Sequence, residues 1–146
     1  MKTALLLATV LFISLPSLAQ QNVPNKKSNT IIVETILSDQ EAFIAIKKSF
    51  RELNIRIDYV DNDLLSVESE WMAQNSLVGL AEIAFTAYVE EGVIYIKGNV
   101  RSQATYRGQT ARGNDPIIAK MKPYWKQMEE LAQSMGDKTT ILYAER

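Results

Sequence analysis

The densest set of side chains suited to gripping a ligand lies between Arg101 and Asn114. Arg101, Arg107 and Arg112 are interleaved there with Tyr106 among small or polar residues. A guanidinium presents a planar fork of donors that matches a carboxylate or phosphate, and a phenol ring stacks on a sugar or a peptide. The stretch has no apolar periodicity and contains Gly108 and Gly113. It is expected to be a long loop, a type of segment that often carries function. Arg101, Tyr106, Arg107 and Arg112 are therefore the candidate binding residues.

The carboxylates offer weaker sites. Asp58, Asp61 and Asp63 surround a turn, but their spacing does not match the twelve-residue calcium loop, and turn chemistry accounts for Asp61-Asn62-Asp63 without an ion. Glu68 and Glu70 belong to the polar face of a strand, and Glu129-Glu130 to the solvent side of a helix. Trp71 and Trp125, with Met121, Met128 and Met135, could line a ligand groove, but their apolar registers favour core packing.

The chain has no histidine and no cysteine. That excludes histidine-based triads, thiolate catalysis, disulfides and zinc sites of histidine–cysteine type. No glycine-rich phosphate loop is present. The reading is of no catalytic residue, no cofactor and no metal. The net charge of the 146 residues is −1, and losing Lys2 with a leader makes it slightly more acidic. Nothing in that balance suits nucleic acid, so the Arg101–Asn114 stretch is a local basic exception.

The N-terminus reads as a secretory signal peptide over residues 1–19. Lys2 supplies the positive start, Ala4–Leu15 the apolar run, Pro16 the break, and Ser17-Leu18-Ala19 the small residues at a cleavage site. Cleavage near Ala19 would leave a periplasmic or secreted protein with no stable membrane anchor. Residues 20–29 are expected to be a disordered leader, and 30–146 a single α+β domain.

Within that domain Thr30–Thr35 reads as a strand. Ser38 and Glu41 have capping-box spacing, and Phe43, Ile46, Phe50 and Leu53 make one helical stripe that Asn54 is placed to end. Alternation then predicts two hairpins. The first pairs Ile55–Tyr59 with Leu65–Trp71, and the second runs from Glu82–Val89 through Glu90-Glu91-Gly92 to Val93–Arg101. Gly98, on the apolar face, marks a bulge or the close approach of a helix. Met72–Leu80 is open between a loop and a short helix. Asp115-Pro116 has the form of a helix start, and Ile118, Met121, Trp125, Met128, Ala132 and Met135 keep one register, with a kink or restart at Pro123 and Gly136 just past the end. The order is β-α-β-β-β-β-α, with Thr139–Ala144 able to add a last short strand at the sheet edge. The architecture expected is an antiparallel sheet of four to five strands with two helices on one face.

This order, with its capped Ser38–Asn54 helix and late Trp125 helix, resembles small secreted TATA-binding-protein-like or helix-grip domains of unknown function. It is also similar to the repeated domains of the lipoprotein accessory subunit of the outer-membrane β-barrel assembly machine. The resemblance spans residues 30–145, rests on topology, and brings no functional residue with it. The chain lacks the lipidated cysteine of those lipoproteins. The function expected is a non-catalytic binding or interaction module whose partner is an envelope protein or glycan. A helix-grip carrier of a small apolar ligand, lined by Phe85, Ile94, Ile96, Trp125 and Met128, is the alternative. A carboxylate-based hydrolase is the third reading.

Overall fold

The computed structural model describes residues 21–76, 79–106, 109–136 and 139–146, with the backbone alone at 75–76, 79–80, 102–106 and 109–113. The signal peptide expected over 1–19 lies outside the described residues. The chain order is β1 (Thr30–Glu34), α1 (Asp39–Glu52), β2 (Ile57–Asp61), β3 (Ser66–Ser69), β4 (Met72–Ser76), β5 (Gly79–Glu90), β6 (Val93–Tyr106), β7 (Gln109–Pro116), α2 (Lys122–Gln133) and β8 (Thr140–Ala144). The fold is α+β, with the sheet eight-stranded rather than four- or five-stranded.

Two long strands, β5 and β6, form the spine. The sheet runs β2-β3-β5-β6-β1-β8, with β4 also beside β5 and β7 also beside β6. Each spine strand therefore carries two short strands end to end on its outer edge. Along β6, Thr30 of β1 is opposite Lys97 and Pro116 of β7 is opposite Asn99, so the two meet at Gly98. Along β5, the chain from Glu68 to Met72 takes one more step than β5 takes from Thr86 to Ile83. That extra residue is a bulge, which leaves a ladder donor without its partner. Ser69 supplies the missing acceptor: its buried hydroxyl oxygen accepts from the Phe85 amide at 2.8 Å and donates to the Glu70 carbonyl at 2.8 Å.

The helix α1 follows its sequence signals. Ser38 Oγ accepts from the Glu41 amide, and the Glu41 carboxylate accepts from the Ser38 amide at 2.9 Å and its hydroxyl at 2.7 Å. The Ser38 side-chain bond, then the backbone one, holds the Glu41 carboxyl below its ordinary value. Asn54 takes a positive φ of 55° just past the helix, as expected of an asparagine there. The β5–β6 connection is a two-residue loop, tighter than the three-residue turn expected, with Glu90 opposite Val93. Glu91 and Gly92 both have positive φ, as a mirror-image hairpin turn requires. The Gly92 amide donates to Asp39 Oδ1 at 2.9 Å, tying this turn to the start of α1.

Both helices bury their apolar stripes on the same sheet face. Phe43, Ile46 and Phe50 of α1 and Trp125, Met128 and Leu131 of α2 join Ile31, Ile83, Phe85, Ile94 and Ile96 in one core. At Gly98 that core is filled: an added Cβ would lie 2.8 Å from Ile117 Cδ1, 3.0 Å from Met128 Sδ and 3.2 Å from Phe85 Cδ1. Close packing, not a bulge at this position, explains the glycine.

Four expectations are corrected. Met72–Ser76 is neither loop nor helix but strand β4, paired with β5. Ser102–Tyr106 and Gln109–Asn114 are strand, not loop: β6 and β7 pair from Asn99–Pro116 out to Tyr106–Gln109, with residues 107–108 outside the described residues. Asp115-Pro116 ends β7 instead of starting a helix, and Ile117 continues the sheet by donating to the Gly98 carbonyl at 2.8 Å. An X-Pro step favours extended backbone before the proline, which suits a strand end as well as a helix start. The helix begins at Lys122 with Pro123 in its first turn, the restart alternative. In place of a disordered leader, Gln21 exchanges two backbone hydrogen bonds with Tyr143, and Ser28 is fully buried. The terminal strand is present as β8, paired with β1, and Gly136 has a positive φ of 139°.

Candidate functional site

The helices cover one face of the sheet and leave the other open. Strand pleating sends alternate residues to opposite faces. On β6, Ile94, Ile96 and Val100 face the helices, so Tyr95, Lys97, Asn99 and Arg101 face away. Ile32, Tyr95, Leu142 and Ala144 form a second, small apolar cluster on that open face, edged by Tyr88 and Val93.

Cations and aromatic rings line this face. Tyr88 and Tyr95, opposite each other on β5 and β6, stack with centroids 5.1 Å apart. The Arg146 guanidinium lies 4.3 Å from the Tyr95 ring, and Lys97 Nζ 6.0 Å from Tyr88. Arg146 is held in place by its backbone, which exchanges two hydrogen bonds with the Asn29 amide side chain. At the other end, the Arg101 guanidinium lies 4.2 Å from the Trp71 ring, and its Nε donates to Glu82 Oε2 at 2.6 Å. Arg101 and Glu82 are cross-strand partners. Both stay over a third exposed, so the ion pair contributes only about 0–1 kcal/mol. Its effect is to fix orientation, since carboxylate and indole together set the plane of the guanidinium.

The four expected binding residues are thus redistributed. Arg101 is not a free fork on a loop but a packed residue at the root of the β6–β7 hairpin. Arg112 lies opposite Gln103 and Tyr106 opposite Gln109 along that hairpin, while Arg107 lies outside the described residues. The sequence reading missed Trp71, Glu82, Tyr88, Tyr95 and Arg146 as neighbours of this site. The signal was available in part. Once Ile94, Ile96 and Val100 are assigned to the core, the intervening positions must share the other face.

The remaining candidates have structural duties. Asp61 Oδ1 accepts from the Asp63 and Leu64 amides, each at 2.9 Å, which is turn chemistry. Among the described residues no three carboxylates converge as a metal-ligand set. Glu70 pairs with Arg56 at 3.1 Å. Trp125, Met128 and Met135 are buried in the core, and Met121 packs against it. Trp71 is half-buried at the β3–β4 bulge, where Arg101 covers it.

Neither protein-family models nor curated protein sequences give a match to this chain.

Proposed function

We propose that this protein is a non-catalytic binding or interaction module, exported to the periplasm or exterior after cleavage near Ala19. In this reading it holds an anionic envelope protein or glycan on its open sheet face. The observation that carries the reading is the run of Arg146, Tyr95, Tyr88 and Lys97 on the face without helices, continued by Arg101 and Trp71 at the root of the β6–β7 hairpin. Arginine, tyrosine and tryptophan are the residues that dominate binding energy at interfaces, above all when held in place before the partner arrives. The absence of histidine and cysteine also favours binding over catalysis. The tight packing around Gly98 favours a filled core over the carrier alternative.

Photocrosslinking in the cell envelope tests this reading. A photoreactive residue at Lys97 or Gln103 is expected to give discrete adducts, whereas one at Lys48, on the exposed side of α1, gives none. Adducts from Lys48 alone, or from no position, would overturn it. The same exported material is expected to begin at Gln20 by intact mass, and retention of residues 1–19 would remove the argument for localisation.

A further inference from the structure

A second feature lies away from the open face, on the helix side. The segment before β1 folds over the start of α2, and between them is a cleft of about 470 Å³ lined by Pro24, Asn25, Lys26, Ala119, Lys120, Lys122, Trp125 and Glu129. Its walls are fixed from both sides. The Ser28 amide donates to the Asn25 carbonyl at 3.1 Å, and the Lys27 amide to Asn25 Oδ1 at 2.8 Å, which closes a turn around Lys26. The Ala119 amide donates to the Ser28 carbonyl, and the Met121 amide to the Ile118 carbonyl, each at 2.8 Å, which sets Lys120 opposite. Lys122 begins α2.

The charge of the cleft is unbalanced. Lys26, Lys120 and Lys122 are exposed and make no ion pair among the described residues. The one carboxylate in the lining, Glu129, is turned to inward partners. Its Oε1 accepts from Trp125 Nε1 at 3.0 Å, and its charge faces the Tyr143 phenol. Burial first, then the nearby Glu129 carboxylate, pushes the Tyr143 phenol up from its ordinary value. The first turn of α2 adds no acidic residue and no side-chain cap. Pro24 and Ala119 supply apolar wall below the ammonium groups, and Trp125, only 4% exposed, closes the floor from the core.

We infer that this cleft binds a small phosphate monoester with an apolar body, the phosphate held by Lys26, Lys120 and Lys122 and the body laid against Pro24 and Ala119. Lysines act on an anion as movable point charges, which suits a tetrahedral dianion better than a planar carboxylate. The α1 lysines differ in being partnered: Lys47 Nζ lies 4.1 Å from the Phe43 ring centroid and Lys48 pairs with Glu52 at 3.5 Å. The site is independent of the open face, and its test does not touch that face.

Isothermal titration calorimetry with 1-naphthyl phosphate is the direct test, with 1-naphthol and inorganic phosphate as comparison ligands. The expected result is one saturable site for 1-naphthyl phosphate, with both comparison ligands bound about tenfold more weakly or worse. The Lys120→Gln/Lys122→Gln variant is expected to lose about tenfold in affinity with an unchanged melting temperature, the size of an ordinary charged hydrogen bond. Lys47→Gln/Lys48→Gln on α1 is expected to bind as the parent does. No saturable heat, equal affinity for 1-naphthol, an unaffected Lys120/Lys122 variant, or an equal loss in the Lys47/Lys48 variant would each overturn the proposal.

Discussion

The two halves of the β5–β6 hairpin are built on different principles. Near the Glu91-Gly92 turn the strands alternate, with Phe85, Ala87, Ile94 and Ile96 buried beneath α1 and α2. Beyond Val100 the alternation stops, yet the backbone ladder continues through β4 and β7 for as far as Ser76–Gly79 and Tyr106–Gln109. The near half is held by side chains packed on helices. The far half is paired main chain to main chain through β4 and β7, and on β4 Met72 also packs against the core while Gln74 Oε1 accepts from Gln127 Nε2 of α2 at 3.0 Å. Hydrophobic periodicity reports which faces are buried, not which strands are paired.

Two seams divide the halves: Gly98 on β6, where β1 gives way to β7, and the Ser69 bulge, where β3 gives way to β4. The largest effect is expected at Gly98. Gly98→Val places two γ-carbons where one β-carbon already meets Ile117, Met128 and Phe85. Overpacking there is expected to cost about 3 kcal/mol, roughly 10 °C in melting temperature by thermal denaturation. An unchanged melting temperature would mean that the core does not close at this seam.

Ser69→Ala comes next. It leaves the buried Phe85 amide without its acceptor, at an expected cost of about 1–3 kcal/mol in urea unfolding. A loss under about 0.5 kcal/mol would show that the bulge is satisfied in another way.

A smaller effect is expected from pH. The Glu41 carboxyl is lowered, so its contribution is present above its ordinary value of 4.5 and disappears as pH falls through the folded value. The Tyr143 phenol is raised, so the unfolded chain ionises first, and stability declines as pH rises above its ordinary value of 10.0. Both shifts lead away from neutrality, and no histidine is present to titrate between them. Melting temperature is expected to stay nearly flat from pH 6 to 8, and Ser38→Ala is expected to remove part of the acid-side decline. A steep change between pH 6 and 8 would reveal a carboxylate with a strongly raised pKa and would favour the carboxylate-hydrolase reading.

The same contrast explains what was legible in the sequence. Wherever an element buries a side-chain stripe, the residues announce it: the Ser38–Glu41 cap, the Phe43-Ile46-Phe50 stripe, the turn at Gly92 and the tight spot at Gly98. β4 and β7 carry no such stripe. Met-Ala-Gln-Asn-Ser and Gln-Thr-Ala-Arg-Gly-Asn-Asp-Pro make their strands through backbone bonds to a neighbour that alternation cannot reveal. Pro116 was ambiguous because its missing amide suits both the first turn of a helix and the last residue of a strand. Of the candidate site, Arg101 was legible as a residue. Its setting depends on Trp71 and Glu82, thirty and nineteen positions away.

Shortening the β6–β7 hairpin tests the central contrast most directly. Ser102 and Gly113 are paired, so residues 103–112 can be replaced by an Asn-Gly turn that closes a two-residue hairpin with Arg101 and Asn114 retained. The measurement is the melting temperature of this variant beside that of the parent. A change of less than about 4 °C, equivalent to about 1 kcal/mol, is the result expected if the far half contributes little to the folded core. A fall as large as that of Gly98→Val would contradict the account, because the far half would then be part of the folding core and not a surface left free for binding.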